Sequence, residues 1–544
     1  MKNTLRIIEK NKQYNIGHIC TKLQCELGRA NDVAMLWISP SLSHEVEFTF
    51  QCLDQYTNQF ANGLLELGFN EKDVIFTFLP KIPEQFIVFL GVLKIKGIAG
   101  TLFSNFGDEA LLDRLGHAKA IVTKMSLLKK IQKIIPKLNQ IKKIIVVDID
   151  EDIDDLIVSF KKLINKSSND YKVPLTSYDT ESILHYTSGS TGKPKGVLHV
   201  HGAIDSIIHS AEEVLCLKNG INYWCTADQG WVTGTSYGII GPWSLGVKQI
   251  HFGGGYDPQK WLSILQKEEV NIFYTAPTAL RMLMRENTEF YEKYKLNHLK
   301  CIFSVGEPLN PEVINWSRNI LSKEIYDTWF QTETGSIMIA NKPGMKVKPG
   351  SMGRPLTNIN AEILNEKGFV VGVNETGKLS IKSGWPSMFV KYLEDENQYS
   401  KKFINGYYLS GDMAYVDQEG YFWFLGRDDD VINTSGHLVS PFEVESSLLE
   451  MEEIVEAGVV GLPDDVLFEK VIAYVVLAKG KEMTKDLELK IRLHVNNRIS
   501  SIASPSEVYK LDMLPKNRSG KVMRRILRAR FMGQELGDIS TLED

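Results

Sequence analysis

Cysteine is scarce in this chain: there are six in 544 residues, at positions 20, 25, 52, 216, 225 and 301, with no Cys-x-x-Cys pair. A disulfide framework or a cysteine-built zinc site is therefore not expected, and the scattered thiols read as reduced cysteines of a cytoplasmic protein. Net charge is also small, since 62 Lys and Arg stand against 67 Asp and Glu to leave −5. No general positive field exists to hold nucleic acid or an anionic membrane. Long apolar runs are missing as well. The most apolar stretch, Phe86-Ile-Val-Phe-Leu-Gly-Val-Leu93, is about half of a membrane span, and the N-terminus is too polar for a signal-peptide core. What is present is an ordinary globular balance, 43% hydrophobic, 10% aromatic and 24% charged, with length for roughly three to four domain-sized units.

The first 180 residues alternate helical patterns with short β-branched runs. Tyr56–Leu67 has apolar residues at helical spacing and ends at Gly68, a C-cap residue. Asp73–Leu79 reads as a buried strand stopped by Pro80, Phe86–Lys94 as a buried helix, and Ala120–Thr123 and Lys143–Asp148 as further strands. This alternation points to parallel sheets covered by helices. Asp150–Asp179, rich in charge and Ser, reads as a surface connection. Farther on, Gly377–Lys382 and Gly420–Leu425 look like hairpin pieces of a barrel-like unit. After Gly426-Arg-Asp-Asp-Asp430, a helix over Pro441–Glu450 and strands over Ala457–Gly461 and Val471–Leu477 suggest a small α+β unit on a charged hinge. The expected division is an α/β N-terminal domain over 1–426, a hinge over 427–430 and a small, mobile C-terminal domain over 431–544. The basic run Arg524–Arg530 is interrupted by Ile526 and Leu527 and reads as an amphipathic surface helix.

One stretch carries chemistry on its face: Tyr186-Thr-Ser-Gly-Ser-Thr-Gly-Lys-Pro-Lys-Gly196. It is not a Walker A loop, because only two residues separate Gly189 from Gly192 and Pro194 follows Lys193. The hydroxyls of Thr187, Ser188, Ser190 and Thr191, the glycine-rich backbone and the cations Lys193 and Lys195 suit a polyphosphate tail. A loop of this composition on its own would equally be a solvated surface turn.

The loop resembles the signature phosphate loop of the adenylate-forming superfamily, and five further stretches match that family in its order. These are Ser304-Val-Gly-Glu-Pro308, Asp327-Thr-Trp-Phe-Gln-Thr-Glu-Thr-Gly335, Tyr408-Leu-Ser-Gly-Asp412, Gly426-Arg427 and Pro515-Lys-Asn-Arg-Ser-Gly-Lys521. Within the family the likeness is to AMP-forming acetyl-CoA synthetases of the shorter bacterial kind, carried by Tyr223–Gly234, Thr275-Ala-Pro-Thr278 and Ser304–Pro311.

The resemblance implies ATP-dependent activation of a carboxylate to acyl-AMP and pyrophosphate, followed by transfer to coenzyme A. Thr187, Ser188, Gly189, Ser190, Thr191, Gly192, Lys195 and Thr332 would hold phosphates, Glu333 would hold Mg²⁺, and Gly306, Glu307 and Pro308 would line the adenine. The segment Asp327, Thr328, Trp329, Phe330 and Gln331 would complete the nucleotide site. Asp412 would accept from both ribose hydroxyls, Arg427 would sit at ribose and phosphate, and Lys521 would reach between the carboxylate and the α-phosphate. For the second step, Asp429 is the hinge position, Ser435, Gly436 and His437 swing toward the thiol, and Thr233 is a weaker candidate for the CoA side. Val232, Thr233, Val305 and Phe330 would line the acyl pocket. Acetate-specific relatives carry a second tryptophan where this chain has Phe330, so the pocket is expected to admit one or two more methylenes, each worth about 0.8 kcal/mol when buried.

Two positions depart from the family: Leu438 stands where such synthetases usually present Arg, and Asp428 adds a third consecutive acid at the hinge. The implied partners are a small carboxylate, ATP and CoA, with neither nucleic acid nor membrane, and a lysine acyltransferase or deacylase acting on Lys521 is a possible control. A medium-chain or aryl acid ligase and a non-catalytic nucleotide-binding relative remain the alternatives.

Overall fold

The computed structural model describes residues 4–188, 194–393, 395–435, 437–464, 466–516 and 521–536. Two parallel sheets dominate the N-terminal part. In the first, the strands Val33–Ile38, Lys248–Phe252, Asn222–Cys225, Ile272–Thr275, Cys301–Val305 and Ile325–Trp329 run side by side and parallel. In the second, Glu181–Ser188, Ile98–Phe103, Val74–Leu79, Ala118–Thr123, Lys143–Val146 and Ile157–Ser159 do the same, with Pro194–Val200 antiparallel beside the first of them. The short period of these strands explains the core. Tyr223, Cys225, Ile272 and Tyr274 point into a core shared with the second sheet, while Trp224, Phe273 and Ile302 enter a separate core on the other face.

The helix Pro83–Lys94 shows no polar stripe because residues 85–94 are all buried in that shared core. The preceding helix, Phe50–Glu66, begins six residues before the sequence pattern suggested, because Thr49 accepts from the Cys52 N–H as its N-cap. Asp150–Asp179 is corrected more substantially. It contains the strand Ile157–Ser159 and the helix Phe160–Lys166, whose Phe160 and Leu163 are buried in the shared core, Phe160 against Phe60 with ring centroids 5.6 Å apart.

The first sheet continues through Ile339–Ala340 and Ser351–Pro355 into an antiparallel run of Phe422–Arg427, Tyr407–Val416, Gly377–Lys382 and Ala361–Leu364. Beyond it, the antiparallel pair Ile454–Asp464 and Phe468–Leu477, with Ile432–Thr434, His437–Val439 and Glu507–Lys510, makes a small separate sheet. The helices Pro441–Leu449 and Lys485–Arg498 cover it. The helix Arg524–Met532 buries Ile526, Leu527 and Ala529, as its interrupted charges suggested. All six cysteines are free, and among the described residues no helix is long and apolar enough to cross a membrane.

Candidate functional site

Three neighbouring parallel strands, Ile272–Thr275, Cys301–Val305 and Ile325–Trp329, end at one edge, and the segments Ala276–Thr278, Gly306–Pro308 and Phe330–Glu333 follow from their carboxyl ends. Ligands of open α/β sheets bind at such an edge. Here it forms one wall of a cavity of about 250 Å³. The opposite wall comes from the small C-terminal sheet and its neighbours, including Glu445, Glu456, Lys516, Lys521 and Arg524.

Asp412 is a buried polar group on this cavity. Asp412 and Arg427 are directly opposed in the antiparallel pair Tyr407–Val416 and Phe422–Arg427, so the pair follows from strand register. Arg427 Nη1 donates to Asp412 Oδ1 at 2.8 Å, while Trp329 Nε1 and Gln331 Nε2 donate to Oδ2 at 3.0 and 3.1 Å. Tyr408 OH fixes the Gln331 carbonyl at 2.9 Å. Burial works against the Arg427 charge, yet Asp412 and Asp429 outweigh it and hold the guanidinium above its ordinary value. Gly411 is required at its place: its φ is +78°, and a β-carbon there would meet the Arg427 guanidinium at 2.8 Å.

Glu307 is held by residues that the sequence reading left unassigned. Thr278 Oγ1 donates to it at 2.8 Å and Arg281 Nη2 at 2.6 Å, and Arg281 Nη1 also reaches Asn310 Oδ1 at 3.0 Å. The signal lay in Thr278 and Arg281 standing three residues apart on the helix Pro277–Met284, which puts them on one face. Burial pushes the Asp327 carboxyl well above the usual carboxylate range, with Ser304 and the Thr328 N–H only partly opposing. Lys521 lines the cavity across from these groups. Its ammonium is drawn below the ordinary lysine value first by the surrounding protein and then by Arg427, against Asp412 and Asp430.

Glu333 lies apart from that cavity wall. Tyr392 OH donates to Glu333 Oε1 at 2.8 Å, and the Lys195 ammonium stands 5.5 Å from the centre of the Tyr392 ring. The segment is pinned through its backbone: His199 Nε2 pairs with Thr332 O at 2.8 Å and the Phe389 N–H donates to Glu333 O at 3.0 Å. Thr187 and Lys195 are opposed across the hairpin of Glu181–Ser188 and Pro194–Val200. Gly189, Ser190, Thr191 and Gly192, together with Gly436, lie outside the described residues. Among the described residues no group of three His, Cys, Asp or Glu could hold a metal. A lone carboxylate braced by a tyrosine is the donor set that suits Mg²⁺, which takes one or two carboxylates and completes its shell with water and substrate phosphates.

Of the four expected acyl-pocket residues, Phe330 is on the cavity wall, whereas Val232, Thr233 and Val305 are buried and are not part of its lining. The Phe330 ring meets Tyr237 edge-on, centroids 5.4 Å apart. Tyr237 is itself fixed by Ser210 Oγ at 2.6 Å and by the Ile337 N–H at 2.7 Å. Ser435, His437 and Leu438 are exposed on the small sheet and do not join Thr233 or the cavity. Of the three acids at 428–430, Asp428 pairs with Lys378 at 3.3 Å and Asp430 with Arg528 at 3.3 Å, while the backbone carbonyl of Asp429 accepts from Arg528 at 3.1 Å.

Known proteins share this chain's sequence and its fold. The family described as AMP-binding enzyme matches residues 26–393, and the AMP-binding enzyme C-terminal domain matches residues 443–521. The acetyl-coenzyme A synthetase of Bacillus subtilis is 43% identical over 520 residues, 95% of this chain and 90% of that relative. The acetyl-coenzyme A synthetase of Methanothrix thermoacetophila is 36% identical over 97% of this chain and 84% of its own length. Among solved structures, an acyl-CoA synthetase of Brucella canis matches with a TM-score of 0.74 and 31% identity, covering 95% of this chain and 94% of that one. An anthranilate CoA ligase in complex with anthranoyl-AMP matches with a TM-score of 0.86 and 25% identity over 95% and 97%.

Proposed function

Because this chain belongs to the AMP-binding enzyme family, we propose that it is an AMP-forming acid–thiol ligase that activates a short carboxylate, acetate to butyrate, and transfers the acyl group to coenzyme A. The observation that carries this is the meeting of Asp412, Arg427, Gly306–Pro308 and Lys521, from well-separated stretches of sequence, on one cavity.

In the first half-reaction a carboxylate oxygen attacks the α-phosphorus of ATP and pyrophosphate leaves. Negative oxygens must approach one another, so the residues serve chiefly as preorganised charge. Lys521 would offset charge between the carboxylate and the α-phosphate. Asp412 has lone-pair capacity beyond its three present donors and would accept from the ribose hydroxyls. The adenine would lie against Gly306–Pro308, with Glu307 kept in place by Arg281 and Thr278. Thr187, Lys195 and Thr332 would meet phosphates. Glu333 would hold Mg²⁺, which when bound supplies positive charge to those phosphate oxygens.

In the second half-reaction the CoA thiol attacks the acyl carbon, AMP leaves and the thiol proton is released. For that step the C-terminal domain, 431–544, would turn about 427–430 so that Ser435, Gly436 and His437 replace Lys521, with Thr233 on the CoA side. The 43% identity to a protein named for acetate supports a short acid, and Phe330 backed by Tyr237 would bound a pocket for acetyl and slightly longer acyl groups. The six free cysteines support a cytoplasmic location. An acyl group placed on Lys521 would remove its charge and silence the first step, giving a lysine acyltransferase or deacylase a point of control.

The test is Lys521→Ala with the half-reactions measured separately. Acid-dependent ATP–pyrophosphate exchange should be lost while thioester formation from supplied acyl-AMP continues. Equal loss of both would overturn the assignment of Lys521.

A further inference from the structure

Lys521 stands beside Val522, which forms an antiparallel bridge with Lys516, and the Met523 N–H donates to the Pro515 carbonyl at 2.8 Å. The position of Lys516 therefore bears directly on that of Lys521. Lys516 is fastened in turn to the strand Ile454–Asp464, its ammonium 2.9 Å from Glu456 Oε2. The other oxygen of the same carboxylate accepts from Arg285 Nη2 at 3.0 Å, and Arg285 also reaches the Val455 carbonyl at 3.3 Å.

Arg285 belongs to the large N-terminal part, just outside the cavity lining. It caps the helix Pro277–Met284, the helix whose Arg281 holds Glu307. Glu456 is thus a joint between two cations, one in each part. The joint is partly shielded, with the Glu456 and Lys516 side chains 20% and 16% exposed. Asn310 Nδ2 donating to Ser446 Oγ at 2.9 Å is a second, uncharged tie across the same boundary.

We propose that Glu456 and Arg285 are positioning residues of the first half-reaction: the chain Arg285–Glu456–Lys516 seats Lys521 at the cavity, and its breakage frees the C-terminal part for the second half-reaction. This rests on the reading of Lys521 given above. Neither residue touches the reacting atoms. Their contribution is the fraction of molecules in which Lys521 is in place, so their loss shifts the balance between half-reactions and leaves acid recognition alone.

The experiment uses the full chain with Arg285→Ala, Arg285→Lys and Glu456→Gln. Acid-dependent ATP–pyrophosphate exchange is measured beside thioester formation from supplied acetyl-AMP and CoA, with thermal unfolding of each variant. Arg285→Ala removes a partly exposed ion pair, so exchange should fall about two- to fivefold while the acid KM holds and thioester formation is unchanged or faster. Arg285→Lys, which keeps the charge, should recover most of the exchange. Glu456→Gln releases both cations and should lower exchange by about tenfold, corresponding to about 1.4 kcal/mol. Equal falls in both half-reactions, or no change in either, would overturn the proposal. Because Arg285 is partly exposed, its variants decide the matter even where Glu456→Gln fails to fold. Wild-type protein without exchange would overturn the functional reading and this proposal together; wild-type exchange with unsplit variants would overturn this proposal alone.

Discussion

Asp412 holds three donors on two oxygens in a buried place, and one of the three is a cation. Asparagine there keeps the shape but loses the charge facing Arg427 and one acceptor. Asp412→Asn should weaken productive ATP use by about 10- to 100-fold, the worth of a charge-assisted hydrogen bond of about 1.5–3 kcal/mol, read as exchange at sub-saturating ATP. An unchanged ATP dependence would contradict the ribose role. Phe330 predicts in a different way, because its ring rests on a fixed Tyr237. Phe330→Trp should narrow preference to acetate, whereas Phe330→Gly should lengthen it only as far as Tyr237 allows. If neither moves the chain-length profile, the acyl pocket lies elsewhere. Lys521 adds a pH argument. Its charged form is the useful one and its value is lowered, so exchange should decline on the basic side at a pH below the ordinary lysine value of 10.5, and Lys521→Arg should move that limb upward. The motif residues of the site were legible because the chemistry of phosphates and ribose restricts residue type. Arg281 and Thr278 were legible only as a pair on one helix face, a spacing that does not name Glu307 as their partner.

At the level of elements, the helices Phe50–Glu66 and Pro83–Lys94 are joined by a buried ion pair. Lys94 Nζ donates to Asp54 Oδ1 at 2.8 Å and to Asn58 Oδ1 at 2.6 Å. Burial draws the Lys94 ammonium down to about 8, with Asp54 opposing. Asp54→Ala would leave that ammonium unpaired and should destabilise by about 3–5 kcal/mol, with Asp54→Ala/Lys94→Met recovering most of it in thermal unfolding. The sign with pH follows from the lowered value. Between pH about 8 and the ordinary lysine value the unfolded chain binds more protons, so this lysine's contribution to stability rises with pH there. Periodicity made three of the parallel strands readable, Val74–Leu79, Ala118–Thr123 and Lys143–Val146, since they are short β-branched runs between breakers, whereas the parallel strands of the first sheet were not picked out. It failed over 150–179, where the strand Ile157–Ser159 is three residues long and its core contacts come from Phe160 and Leu163 amid charge. It also shortened the helix starting at Phe50, whose N-cap Thr49 ends a strand and gives no separate break.

Across the whole molecule, the two parts meet through polar ties, the edge-on contact of Phe424 with Phe442 and the cavity. Arg285–Glu456, Asn310–Ser446 and Lys378–Asp428 each cross from the large part to the small part or to the segment joining them. Contacts of this partly polar kind suit the domain motion proposed for the second half-reaction. Asp428, unexplained by the family pattern, has a function in this arrangement as the partner of Lys378. Leu438 stands on the exposed face of the small sheet, away from the cavity, and nothing in the structure explains its difference from Arg. That relation between parts could not be read from sequence, because each tie joins residues some 50 to 170 positions apart.

The central claim is activation of a short acid followed by transfer to CoA. The most direct test is carboxylate-dependent ATP–pyrophosphate exchange over a ladder from acetate to octanoate, with CoA then added and thioester measured. The account predicts exchange greatest at two to four carbons, with CoA consumed as thioester forms. A maximum at six carbons or more, or no exchange with any acid, would contradict it.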